Sequence, residues 1–196
     1  MKFPDTLYHY TIGPKIPLIV HSAHLKPFGF GGAANPREKA VLWWSCNPEW
    51  EPTATKIVSL DGGRSFERPT VRALHDLVGC FRFRLDVRNP VGLHSAGVKL
   101  LPWTRIPLVA GIAAADVQRM VLAGLELGAV PNQWWGCLEE VPVQWEVSGL
   151  LQVDLMQPNG SWQPLAGMAE ALERAHANPT QIRQLRASQV PQARGL

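Results

Sequence analysis

Cysteine is scarce in this chain, and the few cysteines are far apart. Only Cys46, Cys80 and Cys137 occur among the 196 residues. An odd number of widely separated cysteines forms neither a disulfide framework nor a zinc finger. We therefore expect reduced thiols and a cytoplasmic protein. A chain of this length is a typical single domain and can bury a core without disulfides or bound metal.

Long hydrophobic runs and a strong net charge are also missing. The longest apolar run, IPLVAGIAAADV, is well short of the roughly 20 residues that cross a bilayer. The opening residues, MKFPDTLYHY, contain no apolar leader. We therefore expect no membrane contact and no signal peptide. The formal net charge of +3 is too small to indicate nucleic-acid binding by itself.

The motifs of several enzyme classes are absent. The chain has no phosphate-binding glycine loop with its lysine and no G-x-S-x-G elbow. His21 and His24 have the i, i+3 spacing that can place two side chains on one helix face, but the glutamate of the metalloprotease motif is lacking. We therefore predict no metal centre. Cys46 would act as a nucleophile only beside a histidine, and the sequence does not show such a contact.

Turn-forming residues and tryptophan are abundant. The chain contains 17 glycines, 17 prolines and eight tryptophans, which favours many short elements. Core packing is the expected role of most of the tryptophans. Trp43 and Trp44 are adjacent, and adjacent side chains of a strand point to opposite faces. One of these two rings is therefore expected to face away from the main core.

Hydrophobic periodicity predicts an α+β chain with short strands. The segments TLYHYT and KAVLWWSC are predicted strands, and CFRFRLDV alternates so regularly that we expect a half-exposed strand. The segment AAADVQRMVLAGLELGA predicts a helix near residues 115–127, and PNG predicts a hairpin turn. We expect helices in GPKIPLIVHSAHL and AGMAEALERAHANP, whereas TVRALHDLVG fits either a short helix or an extended segment.

The expected architecture is a pair of small, strongly bent antiparallel sheets around a cleft, with a few short helices. One domain is expected over residues 1–178. Residues 179–196 carry Arg183, Arg186 and Arg194 without an acidic residue, which is typical of a basic, weakly ordered tail.

Three short motifs with candidate functional residues follow one another along the chain. His9 and Thr11 share one face of the first predicted strand, Trp44 and Ser45 lie on the second, and the pair Glu139–Glu140 precedes a later strand. This order resembles the ADP-ribosyltransferase fold, in its diphtheria-toxin-like branch with a histidine, an aromatic residue and a glutamate as signature. More narrowly, LYHYT, LWWSCNPEWEPTATK and WWGCLEEVPVQW resemble a set of small bacterial or phage proteins.

The resemblance implies NAD as the cofactor and assigns roles to these residues. It implies that His9 and Thr11 bind a ribose, that the Trp44–Ser45 segment lies at the nicotinamide, and that Glu140 stabilises the cationic sugar, with Glu139 as the alternative. A second alternative is the Gln-x-Glu motif of the Arg-Ser-Glu branch, at Gln144 and Glu146, but the first strand lacks the arginine of that branch.

Two arginines are further candidates for the cofactor site. Arg82 and Arg84 share one face of a predicted strand, and guanidinium groups suit a pyrophosphate. The alternative for this pair is a solvated strand face. A carboxylate near the anomeric carbon has a clear use, because cleavage of NAD passes through an oxocarbenium-like sugar.

The resemblance implies an NAD-dependent ADP-ribosyltransferase of the toxin, defence or anti-defence type. Its acceptor would be a protein or a nucleic acid, and such an effector can have an inhibitory partner protein. The alternative is a non-enzymatic module whose tryptophan-rich surface and basic tail bind a protein or nucleic-acid partner. An enzyme would bring His9, one ring of the Trp43–Trp44 pair and Glu140 into one pocket, whereas a binding module would scatter them.

Overall fold

The computed structural model describes residues 3–28, 38–56, 58–59, 66–143 and 150–176. Its strands are β1 (Thr6–Ile12), β2 (His24–Leu25), β3 (Leu42–Ser45), β4 (Val58–Ser59), β5 (Phe66–Glu67), β6 (Cys80–Asp86), β7 (Leu101–Pro102), β8 (Trp134–Cys137), β9 (Val141–Pro142), β10 (Leu151–Met156) and β11 (Trp162–Pro164). Its α-helices are α1 (Ile16–Ser22), α2 (Val71–Val78), α3 (Pro90–Ser95), α4 (Ile106–Ala110), α5 (Ala114–Glu126) and α6 (Met168–His176). Short 3₁₀ turns span Gly13–Lys15, Pro52–Ala54 and Pro131–Gln133.

The central feature is a seven-stranded antiparallel sheet with the order β11-β10-β6-β1-β3-β8-β7. Two-stranded sheets are formed by β2 with β9 and by β4 with β5. The predicted α+β class with antiparallel strands is confirmed. The expected pair of small sheets is not present, because seven of the strands form one sheet. Its longest ladder joins β1 to β6 along their whole length, from Thr6 with Asp86 to Ile12 with Cys80.

The ladder between β1 and β3 is much shorter than its neighbours. It contains one registered pair, Tyr8 with Ser45, whereas β3 pairs with β8 through all four of its residues. In the described chain, the later part of β1 and the earlier part of β3 do not pair with each other. We call the region between residues 9–12 of β1 and residues 42–44 of β3 the β1–β3 opening.

The main hydrophobic core lies on one face of this sheet. Cross-strand partners project to the same face, so Leu7, Phe81 and Phe83 share it with Val153, and all four are fully buried. Helices α1 and α6 cover the core through Ile16, Ala171 and Ala175. Trp44 is part of this core, whereas Trp43 packs near Trp103 in separate clusters. The expectation that one ring of the pair faces away from the main core is confirmed.

The opposite face of β6 is covered at Arg82, whereas Arg84 and Asp86 each keep 39% of their side-chain surface exposed, so the expected half-exposed strand is only partly correct. Arg82 is 9% exposed and its guanidinium lies between the rings of Tyr8 and Trp162, at 4.6 and 4.5 Å from their centroids. Its Nε donates to Oδ2 of Asp154 at 2.7 Å, and Nη1 donates to the carbonyl oxygen of Pro48. The chain after β3 and the β10–β11 hairpin together bury the arginine.

Helix α5 confirms the helix predicted near residues 115–127, and it is followed by Gly128 with a φ of 81°. Thr70 caps α2 by accepting a hydrogen bond from the amide of Ala73, which identifies TVRALHDLVG as a helix. The predicted hairpin turn joins β10 and β11. The helical His21–His24 pair is wrong, because the left-handed Ala23 ends α1 and places His24 on β2.

Several predictions fall outside the described residues, namely the basic tail, Gln144 and Glu146. Within the described ranges, no helix is long and apolar enough to cross a membrane.

Candidate functional site

His9 lies at the β1–β3 opening and is partly buried. Its Nδ1 is 2.8 Å from the carbonyl oxygen of Trp43, and its ring lies edge-on to Trp44 at 5.7 Å between centroids. Burial lowers the pKa of His9 from 6.5 to about 4, so the imidazole is neutral at physiological pH. Because the Trp43 carbonyl can only accept, Nδ1 carries the proton and Nε2 carries the lone pair.

The second nitrogen of His9 and the hydroxyl of the buried Thr11 are two polar groups on β1. Both side chains project from the same face of β1, because they are two residues apart on a strand. Among the described residues, none donates a hydrogen bond to His9 Nε2 or pairs with the Thr11 hydroxyl. Nε2 can only accept, whereas the hydroxyl can donate and accept. This combination suits a ligand that presents a hydroxyl group.

Positive charge accumulates at the end of β1. Lys15 follows β1 directly in the 3₁₀ turn, and Lys56 approaches from the segment after β3. The charge of Lys56 contributes to the lowered pKa of His9, and burial together with Lys15 lowers the pKa of Lys56 itself. No carboxylate of the described chain forms an ion pair with Lys56.

Ser45 belongs to a different network on the other face of the sheet. Its hydroxyl donates to Oε2 of the buried Glu51 at 2.8 Å, and Oε1 of Glu51 accepts from the Thr53 hydroxyl and from Trp134 Nε1. The carboxylate thereby ties β3, the following 3₁₀ turn and β8 together. Because Ser45 pairs with Tyr8, it faces away from His9.

Arg82 and Arg84 also face away from His9. They alternate on β6 with Phe83, the cross-strand partner of His9. Asp154 is 1% exposed and accepts from Arg82, while Arg84 Nη2 is 3.8 Å from its Oδ1. The six candidate cofactor residues are therefore divided between the two faces of the sheet: His9, Thr11 and Trp44 share one, and Ser45, Arg82 and Arg84 share the other.

The two candidate carboxylates lie after β8. Glu139 accepts from the backbone amides of Leu138 and Lys99, and Lys99 precedes the edge strand β7. Glu140 is exposed, and its carboxylate is 3.8 Å from Nζ of Lys26. In the described part of the chain, neither carboxylate hydrogen-bonds or ion-pairs with a residue of β1. The structure thus brings His9 and Trp44 together without joining Glu140 to them by a direct contact.

The cysteines are poor nucleophiles. Burial is the main cause that raises the pKa values of Cys80 and Cys137 to about 12, and burial also raises the pKa of Cys46. A thiol that stays protonated attacks slowly. The described residues also contain no group of three or more His, Cys, Asp or Glu side chains that could hold a metal ion.

Sequence reasoning missed two residues of this region, Glu51 and Lys56. Both lie in the irregular segment NPEWEPTATK, where no periodicity indicates which side chains are buried. Glu51 could have been suspected from its place before Pro52 and Thr53, because an acidic residue at that position can cap a short turn, as it does here. No sequence signal brings Lys56 to β1.

Comparison of the chain with protein-family models, with curated proteins and with solved structures finds no match in any of the three.

Proposed function

We propose that the protein is an ADP-ribosyltransferase that binds NAD at the β1–β3 opening. The observation that carries the proposal is the state of His9. Its Nδ1 is fixed on the Trp43 carbonyl, and its lowered pKa keeps Nε2 as an acceptor on the face of β1 that also carries Thr11. An acceptor on the same face as a hydroxyl matches the two adjacent hydroxyls of a ribose.

In this proposal Trp44 packs against His9 and orients it, and Trp44 does not stack on the nicotinamide. Its side chain is 2% exposed, so its ring faces are already covered by the core. The edge-on contact with His9 restricts the imidazole to one orientation. A fixed acceptor binds a hydroxyl with less loss of side-chain entropy than a mobile one.

In the proposed reaction, the bond between the nicotinamide nitrogen and the anomeric carbon breaks, and nicotinamide leaves with the electron pair. A nucleophilic oxygen or nitrogen of the acceptor then bonds to that carbon and releases its proton to solvent. Glu140 is the proposed carboxylate that stabilises the positive sugar, and Glu139 is its alternative. The exposed position of Glu140 on the β8–β9 connection leaves it accessible to a bound substrate.

A binding module remains the alternative, because Glu140 makes no direct contact with His9 or Trp44, but the described tryptophans do not form an exposed surface for it. Four tryptophans are buried, namely Trp44, Trp103, Trp134 and Trp135, and three are partly buried, namely Trp43, Trp50 and Trp162. Each of these seven rings packs in the cores or stacks on neighbours. Within the described ranges, no tryptophan is therefore exposed for a partner.

Calorimetric titration with NAD, combined with measurement of nicotinamide release, tests the proposal. We expect the unmodified protein to bind NAD and His9→Ala to bind it about two- to tenfold more weakly, because a single hydrogen bond is worth about 0.5–1.5 kcal/mol. His94→Ala is the matched control, since His94 is exposed on α3. Absence of NAD binding and of nicotinamide release by the unmodified protein would overturn the proposal.

A further inference from the structure

We propose that Asn159 is a site of spontaneous covalent modification, at which the side-chain amide is lost and aspartate and isoaspartate are formed. The attacking group is the backbone nitrogen of Gly160, assisted by Ser161, and the co-reactant is water. The reaction requires neither NAD nor a residue of the β1–β3 opening, so it is independent of the proposed function.

The residue that follows each asparagine decides where this chemistry can occur. The chain contains six asparagines, and four of them precede proline, namely Asn35, Asn47, Asn89 and Asn178. A proline nitrogen carries no hydrogen, so it cannot form the cyclic imide through which the reaction passes. Asn132 precedes Gln133, whose side chain hinders the approach to the nitrogen. Asn159 precedes a glycine, which has no side chain to obstruct the attack.

Asn159 lies at the tip of the β10–β11 hairpin, where water reaches the reacting groups. All residues of the tip, 158–161, are exposed. The amide of Gly160 donates to the carbonyl oxygen of Gln157 at 2.8 Å, and the φ of Gly160 is 84°. Hydrogen bonds at an exposed loop tip open at low cost in free energy. The Gly160 nitrogen is therefore released from Gln157 without unfolding of the sheet.

The hydrogen bonds of the Asn159 side chain favour loss of its amino group. Its Oδ1 accepts from the backbone amide of Ser161 at 3.0 Å and from the Ser161 hydroxyl at 2.7 Å. Two donors on Oδ1 stabilise the negative charge that develops there when the Gly160 nitrogen attacks Cγ. In the described part of the chain, Nδ2 of Asn159 has no hydrogen-bond partner, so water can protonate the leaving nitrogen.

The reaction has two steps. The Gly160 nitrogen gives its proton to hydroxide and bonds to Cγ of Asn159, while the Cγ–Nδ2 bond breaks and Nδ2 leaves as ammonia with a proton from water. The product is a cyclic imide, which water then opens. Cleavage of the new bond to Cγ gives aspartate, whereas cleavage of the original main-chain bond gives isoaspartate, whose main chain runs through Cβ and Cγ.

Isoaspartate would alter the hairpin, because it lengthens the main chain between β10 and β11 by one carbon atom. The hairpin register pairs Met156 with Trp162. The Trp162 ring in turn covers the guanidinium of Arg82, at 4.5 Å from its centroid. We therefore expect the isoaspartate form to melt at a lower temperature than the aspartate form, in which the main chain keeps its length.

Peptide mapping by mass spectrometry tests the proposal on the full-length protein, incubated in heavy-oxygen water at mildly alkaline pH. We expect the peptide with Asn159 to lose ammonia, to take up heavy oxygen and to separate into an aspartate and an isoaspartate form. Asn132 is the internal control and should stay unchanged, because it is also exposed and also follows a proline but precedes glutamine. Ser161→Ala removes one donor from Oδ1 and should slow the conversion of Asn159 roughly two- to tenfold, the usual effect of losing one hydrogen bond.

An unchanged Asn159, or conversion of Asn132 at the same rate, would overturn the proposal. Aspartate without isoaspartate would indicate direct hydrolysis of the side chain and would exclude attack by Gly160. A faster reaction in Ser161→Ala would show that the hydrogen bonds from Ser161 protect the amide, and their assisting role would be wrong. Equal melting temperatures of the separated aspartate and isoaspartate forms would rule out the effect on the hairpin.

Discussion

Nδ1 of His9 lies 2.8 Å from the carbonyl oxygen of Trp43, so a side chain connects β1 to β3 where the backbone ladder has stopped. This hydrogen bond has two effects. It satisfies a carbonyl group inside the sheet, and it fixes the tautomer of the imidazole. The same contact therefore serves the fold and prepares the proposed ligand site.

We expect His9 to stay neutral down to about pH 4 and to make the fold sensitive to acid. Its pKa is 6.5 in a model peptide and about 4 in the folded chain, so between these values the unfolded chain binds more protons. Stability then falls as the pH drops through this window, by up to about 3 kcal/mol for this residue. In His9→Gln the fall should be smaller, which urea denaturation between pH 7 and pH 4 measures.

His94→Gln is the control for the histidine-to-glutamine substitution itself, because His94 is exposed on α3. Nitrogen-15 NMR should also show His9 as the Nδ1-protonated form at neutral pH. A His9 resonance that titrates near pH 6.5 would contradict the prediction.

Glu140→Gln should abolish most of the nicotinamide release and leave NAD binding nearly unchanged. The carboxylate is proposed to act on the cationic sugar of the transition state, and groups of this kind are worth roughly 10²–10³ in rate. Steady-state kinetics and titration on the same protein separate the two effects.

Glu139→Gln is the matched variant. Glu139 accepts backbone amides of Leu138 and Lys99, so its replacement should reduce stability and leave the rate largely intact. The opposite result, an inactive Glu139→Gln and an active Glu140→Gln, would move the catalytic role by one residue. Full activity in both variants would rule out this pair of carboxylates.

Asp154→Ala should destabilise the fold by about 3–5 kcal/mol, because it leaves Arg82 buried without its partner. Chemical denaturation gives the change in the free energy of unfolding. Asp76→Ala is the control, since the Arg72–Asp76 pair is exposed and such pairs contribute about 0–1 kcal/mol. Equal effects of the two substitutions would show that the buried pair does not stabilise the sheet.

Gly124→Ala should also destabilise the protein, although alanine favours helices by about 1 kcal/mol over glycine. A Cβ on Gly124 would lie 2.5 Å from the ring of Trp134, which is buried and hydrogen-bonded to Glu51. We expect a net loss of about 1–2 kcal/mol from overpacking. Gln118→Ala, at an exposed position of the same helix, should change the melting temperature little. A more stable Gly124→Ala would mean that the tryptophan moves at low cost.

Local patterns in the sequence predicted the elements that depend on them. The alternation in β6, the helical period of α5 and the turn before Trp162 are all present in the structure. The opposite orientations of Trp43 and Trp44 also follow from strand geometry alone. These features are determined by residues close to one another in the sequence, so they can be predicted from local sequence patterns.

Features that depend on distant packing were not predictable in this way. Alternation in β6 indicates which side chains share a face but not whether a second layer covers that face, so the burial of Arg82 was missed. The anchoring of Glu139 on Lys99 likewise joins residues 40 positions apart.

The single residue pair between β1 and β3 also has a mechanical consequence. The sheet consists of a four-stranded slab, β11-β10-β6-β1, and a three-stranded slab, β3-β8-β7, with a seam between them. Side chains such as Trp44 and His9, and not a continuous backbone ladder, hold the slabs in register. A ligand that hydrogen-bonds to His9 would therefore bind at the seam itself, where one registered backbone pair joins the two slabs.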